Sequence, residues 1–133
     1  MPLMNWDQTL DIGVASMNKE HREILDAMNR IFDADAAGQS GPAVDQLVAK
    51  LGEVTTRHFA DEEAYMAKVG YPGLGSHKLI HVKLLQDFGT HAAAIKAAGG
   101  KANPEFFNFL KRWLIAHIKG IDSKYAAHAK AAA

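Results

Sequence analysis

Apolar residues recur along this chain at alternating steps of three and four, the period of a helix with one buried face. Four such stripes can be followed. The first is Met17, His21, Ile24, Met28, Ile31, and the second Leu47, Leu51, Val54, His58, Glu62, Tyr65, Val69. The third is Leu74, His77, His81, Leu84, Phe88, His91, Ile95, and the fourth Leu110, Leu114, His117, Ile121, Tyr125, His128. Gly and Pro gather between the stripes, at 38–42, 70–75 and 99–104. Pro42 and Pro104 suit a first helical position, where a missing N–H is harmless, and Asn103 and Asn18 suit N-caps. The pattern therefore predicts helices over 18–37, 42–69, 73–98 and 104–128. An extended arm covers about 1–17, and a small-residue tail runs from Ala129 to Ala133. Four helices with short connections imply an all-α, up-down-up-down antiparallel four-helix bundle occupying 1–133 as one domain.

With 133 residues, 48% of them hydrophobic, one core suffices. Fifteen basic residues balance fifteen acidic ones, so no global field favours nucleic acid or an anionic membrane. Without Cys there is no disulfide, thiolate ligand or thiol nucleophile, and any chemistry falls to N and O donors. No apolar run approaches the ~20 residues of a membrane span. Residues 1–7 carry neither a basic region nor a long apolar one, so no secretory leader is expected and the predicted location is cytoplasmic. The compositional oddity is seven His, all of them on the stripes, with Glu62 beside them. A carboxylate on a buried face needs a partner or a metal.

His58 and Glu62 are four apart, as are His77 and His81, so each pair projects from one helix face. In an antiparallel bundle the start of the first and third helices shares an end with the finish of the second and fourth. Counted from that end, His21, His77, His81, Glu62, His58 and His117 span roughly 5–16 Å of depth, close enough to converge. His91 lies about 15 Å deeper than His81, and His128 about 16 Å from His117, so neither joins the zone. His91 is expected to be a seam residue with a hydrogen-bond partner, and His128 a solvated helix-end residue near the C-terminal dipole. Asp122 points about 140° from His117 on a regular helix, and reaches the site only if the turn deforms, which Gly120 eases. Five imidazoles and two carboxylates exceed one tetrahedral zinc and suit two iron ions. No repeated Glu-x-x-His, zincin, P-loop, dinucleotide fingerprint or nucleophile elbow is present.

These residues resemble the hemerythrin family in its single-domain bacterial form, from Trp6 to about Tyr125. The likeness rests on Trp6 with Ile12-Gly13-Val14, on His21, and on His58-Phe59-Ala60-Asp61-Glu62-Glu63. It is completed by His77-Lys78-Leu79-Ile80-His81 and by the run from Trp113 through His117 to Asp122. The resemblance implies a non-haem di-iron centre, with His77, His81 and His117 on one iron and His21 and His58 on the other. Glu62, Asp122 and an oxo or hydroxo group would bridge the two ions. The iron with fewer imidazoles would take dioxygen, for transport, storage, delivery or sensing. The alternative is a di-iron enzyme that reduces peroxide or nitric oxide, or acts in iron repair or storage. Leu114, Ile24, Phe59, Trp113 and Ile118 would form an apolar oxygen pocket, with Leu114 matching an oxygen-lining Leu of the family. Dioxygen is the implied ligand and an oxygen-consuming protein a possible partner; a monomer is expected. Apart from the ligands, the stripes offer no acid–base candidate near the site, with Glu20 and Tyr65 left open. Where the family often has Asp-x-Gln before the first ligand His, this chain has Asn18-Lys19-Glu20. A Glu20 turned inward would bring negative charge to the second iron.

Overall fold

Pro42 and Pro104 each open a helix, and the Asn103 side chain caps the second of these by accepting from the Phe106 N–H at 2.9 Å. The computed structural model describes residues 3–132; Met1, Pro2 and Ala133, at the outer ends of the expected arm and tail, lie outside them. Its helices are α1 (Ala15–Ala36), α2 (Pro42–Lys68), α3 (Leu74–Ala97), α4 (Pro104–His117) and α5 (Ser123–Ala132). A π-helical turn, Ile118–Asp122, joins α4 to α5, so the two form one continuous helical run. There are four helical runs and no strand among the described residues, a four-helix bundle.

Three local expectations are corrected. α1 begins at Ala15, not 18, because Asn18 serves the arm. Its side-chain oxygen accepts from the Ile12 N–H at 3.1 Å and its amide donates to Asp11 at 2.7 Å. The predicted fourth helix is broken by the π turn, and the alanine tail continues α5 as far as Ala132.

α1 lies along α2 and α2 along α3, and the α4–α5 run closes the bundle. One large core holds Ile24, Met28, Ile31, Leu51, Phe106, Leu110 and Leu114, all fully buried. Packing is uneven. α3 buries only His77, His81 and Ile95 completely, and it meets α4 largely through ring contacts such as Phe88 with Phe106 and His91 with Phe109. The arm is tied to α1 by paired hydrogen bonds between the Met4 backbone and Asn29, at 3.0 and 2.8 Å, and by Arg22 stacked over Trp6. The end formed by the α1–α2 and α3–α4 loops is closed by backbone. At Gly100 (φ +78°) a Cβ would meet the Gly41 backbone at 2.4 Å, and Lys101 pairs with Asp35 nearby.

Candidate metal centre

Five imidazoles and two carboxylates meet in the interior near the opposite end, all at most 4% exposed. α1 supplies His21, α2 supplies His58 and Glu62 from successive turns, and α3 supplies His77 and His81 in the same way. α4 ends on His117, and the π turn ends on Asp122. In an i→i+5 turn, residues five apart come back toward one face, which removes the angular offset a regular helix would impose. Asp122 Oδ1 accordingly lies 2.9 Å from His117 Nε2.

The two carboxylates face both ways. Glu62 Oε1 lies 2.8 Å from His81 Nε2 and 3.0 Å from His77 Nε2, while its Oε2 lies 3.1 Å from His58 Nε2. Asp122 repeats the division, with Oδ1 toward His77 (3.1 Å) and His117 and Oδ2 3.0 Å from His21 Nε2. Two buried groups able to hold a metal ion result. One is Glu62, His77, His81 and His117; the other is His21, His58, Glu62 and Asp122. Glu62 belongs to both.

The donor atoms are close but poorly aimed at one another. His21 Nε2, His58 Nε2 and both Asp122 oxygens have no hydrogen-bond partner in spite of separations near 3 Å, because a hydrogen bond also requires alignment. His77 and His117 face each other through Nε2 atoms 3.2 Å apart, an arrangement a shared cation or proton must mediate. Buried donors left unpaired are costly. N and O ligands aimed at common points fit two metal ions sharing two carboxylates, and the absence of sulfur donors suits iron.

Electrostatics agree with this fit. Burial alone would raise Glu62 and Asp122, but the imidazoles packed around them hold both well below the usual carboxylate range. Burial likewise disfavours charge on His58 and His117, yet the acceptors around them outweigh it and push both up to about 9. Those acceptors are Glu20 and Glu62 for His58, and Asp122 and Glu62 for His117. Two buried negative charges thus demand positive partners, whether protons or metal ions.

Around this cluster, Glu20 Oε1 accepts from His58 Nδ1 at 2.7 Å and Glu63 Oε2 from His81 Nδ1 at 2.8 Å. Burial raises Glu20, but hydrogen bonds with His58 and Asp61 bring its carboxyl below the ordinary range, and Asp61 is raised in return. The Tyr125 hydroxyl, fully buried, donates to Glu62 Oε2 at 2.9 Å, and burial among these carboxylates pushes its pKa far up. The sequence pattern does not single out Tyr125 or Glu63 for a role at the site. The available signal for Tyr125 is its place on the inward stripe three residues after Asp122. Tyr65 only packs edge-on against the Tyr125 ring, at 5.7 Å.

Phe59 stacks flat on the His81 ring, 3.8 Å between centroids, and Trp113 lies 6.1 Å from His117. Ile24, Leu114 and Ile118 are fully buried in the adjoining core. The two remaining His are outside the cluster, but not in the expected manner. His91 is half-buried and stacks on Phe109 at 4.7 Å, with no hydrogen bond among the described residues; its ring packs against the Phe106 and Phe109 rings. His128 is half-buried too, not solvated, and donates to the Val69 carbonyl at 3.1 Å, so it serves the C-terminus of α2 and not that of its own helix.

Residues 12–129 match the Hemerythrin HHE cation binding domain. The chain belongs to the hemerythrin family. This hemerythrin-family chain is 32% identical over 131 residues to a bacteriohemerythrin of Stenotrophomonas maltophilia, covering 98% of the chain and 84% of the relative. It is 34% identical to a myohemerythrin of Riftia pachyptila over 90% of the chain and 88% of the relative. Crystal structures of hemerythrin superpose on it closely. Its L114Y variant gives a TM-score of 0.87 and the wild type 0.85, each at 26% identity, covering 97% and 96% of this chain and 98% of the other. No helix is long and apolar enough to cross a membrane among the described residues.

Proposed function

We propose that the chain binds dioxygen reversibly at a pair of iron ions. His77, His81 and His117 would hold one, His21 and His58 the other, and Glu62 and Asp122 would bridge. The observation that carries this reading is the two-sided placement of both carboxylates: Glu62 has one oxygen toward His77, His81 and His117 and the other toward His58 and His21, and Asp122 has one toward His77 and His117 and the other toward His21. When bound, the iron pair supplies two electrons and, on the side with fewer imidazoles, a coordination position open to dioxygen.

The chain's own residues do the rest. The Tyr125 hydroxyl holds Glu62 in place, Glu20 and Glu63 hold the Nδ1 side of His58 and His81, and the bulk of Ile24, Phe59, Trp113, Leu114 and Ile118 keeps water from the bound gas. Reversibility requires that no proton be delivered there. The buried hydroxyl beside the carboxylates, Tyr125, is a poor acid because burial and Glu62 hold its proton.

Anaerobic loading with ferrous iron tests the reading. Two ions per chain are expected, with an optical band that appears in air and disappears on deoxygenation over repeated cycles. Uptake of one ion, immediate irreversible oxidation, or catalytic consumption of an oxidant refutes it.

A further inference from the structure

Each half of the candidate centre has one imidazole braced from behind by a carboxylate, and the two halves depend on that brace unequally. On the three-imidazole side, Glu63 accepts from His81 Nδ1 at 2.8 Å, while His77 Nδ1 has no hydrogen-bond partner. On the two-imidazole side, Glu20 accepts from His58 Nδ1 at 2.7 Å, and His21 Nδ1 has none. Glu63 therefore steadies one of three rings and Glu20 one of two.

We propose that Glu20 is a positioning residue for the two-imidazole ion. By taking the Nδ1 proton of His58 it presents Nε2 as the coordinating nitrogen and makes it a stronger donor, at the half of the centre with the fewest ligands. A carboxylate behind a ligating imidazole fixes the ring's tautomer and raises its basicity, and its removal typically lowers metal affinity by about 10–100-fold. Glu20 is well placed to do this. It lies on α1 one residue before His21, and its side chain is 19% exposed. Its position ties α1 to the α2 ligand, so one carboxylate couples the two helices that supply this ion's imidazoles.

Glu63 supplies the internal control. It is also a Glu, 27% exposed, bonded to the Nδ1 of a buried imidazole, and its neutralisation removes the same charge from the same neighbourhood. A general electrostatic effect would make the two variants alike. The positioning role, which rests on the di-iron reading above, makes them different.

The experiment titrates ferrous iron anaerobically into wild type, Glu20→Gln, Glu20→Ala, Glu63→Gln and Glu63→Ala against a chromogenic chelator, and follows the midpoint potential of the loaded proteins. Glu20→Ala is expected to weaken the second ion by about 10–100-fold and leave the first in place. Glu20→Gln, which keeps an acceptor but not the charge, should fall between it and wild type and shift the potential positive. Both Glu63 variants should lose less. Equal losses for the Glu20 and Glu63 pairs, or a Glu20→Gln protein with unchanged affinity and potential, overturn the assignment. If Glu20→Ala does not fold, the Glu20→Gln comparison decides alone. A wild type that takes up a single ion overturns the di-iron reading itself, whereas a two-ion wild type with an indistinguishable Glu20→Gln overturns only the role of Glu20.

Discussion

Replacing Tyr125 with Phe removes one hydroxyl and nothing else, since the ring contacts with Tyr65, Tyr71 and His77 at 5.7–6.4 Å survive. The lost bond is a 2.9 Å donation to a carboxylate with no solvent exposure, so water cannot replace it. Hydrogen bonds to charged groups contribute about 1.5–3 kcal/mol. The lower half of that range applies here, because Glu62 keeps imidazole partners on both oxygens. Metal-free Tyr125→Phe should therefore be less stable than metal-free wild type by about 1.5–2 kcal/mol, a Tm lower by roughly 5–10 °C for a chain of this size. With metal bound, the cations neutralise Glu62 and the same substitution should lower Tm by less than half as much. Thermal unfolding followed by circular dichroism, with and without ferrous iron under anaerobic conditions, measures both differences. Equal losses in the two states would show that Tyr125 supports the bundle and not the charge on Glu62.

Other substitutions separate the cluster from its surroundings. His117→Ala should lower metal affinity by at least about 10-fold, whereas His91→Ala, which loses a stack on Phe109, should leave stoichiometry intact by metal analysis. The metal-free protein should respond to pH on both sides. His58 and His117 are raised to about 9, so the stability they contribute is complete below about 6.5 and lost as pH climbs toward about 9. Glu62 and Asp122 are lowered, so their contribution is present above the ordinary carboxylate range and lost as pH falls below it. Denaturant midpoints across that interval should fall toward the alkaline side, and a flat profile would refute the charge assignment. Gly100→Ala should destabilise by about 1–3 kcal/mol, since it forces a positive φ and a clash with the Gly41 backbone. Gly120→Ala meets nothing within 4 Å and should gain about 0.5–1 kcal/mol. Loss of metal in Gly120→Ala would mean that the π turn requires glycine.

The parts of the fold that local chemistry determines are readable along the chain. Pro42 and Pro104 mark true helix starts, and the ends of α2 and α3 fall within one residue of the periodic pattern. The start of α1 is not readable in this way, because Asn18 can cap a helix or bind the arm, and only the arm's position decides. The i,i+4 pairs His58–Glu62 and His77–His81 are likewise visible from residue spacing alone. Asp122 is different: its spacing from His117 contradicts a regular helix, and the π turn that reconciles the two is a tertiary compromise. Glu20 and Glu63 are still less visible. Both sit beside ligand positions in sequence, but which ring each one supports depends on how neighbouring helices are rotated.

The thin packing of α3 has a kinetic meaning. Its anchors are two imidazoles of the cluster and Ile95, whereas α1 and α2 are held by long apolar rows. Opening this helix alone exposes less fully buried surface than opening α1 or α2 would, so it is a low-energy excursion of the bundle. The same excursion withdraws His77 and His81 together, two of the five side chains proposed above for one ion. Residence time at that position is then governed by how often α3 swings away, and amide exchange along α3 should slow in step with chelator-driven metal release. Any metal held by the cluster should thus exchange at a rate set by the least buried helix.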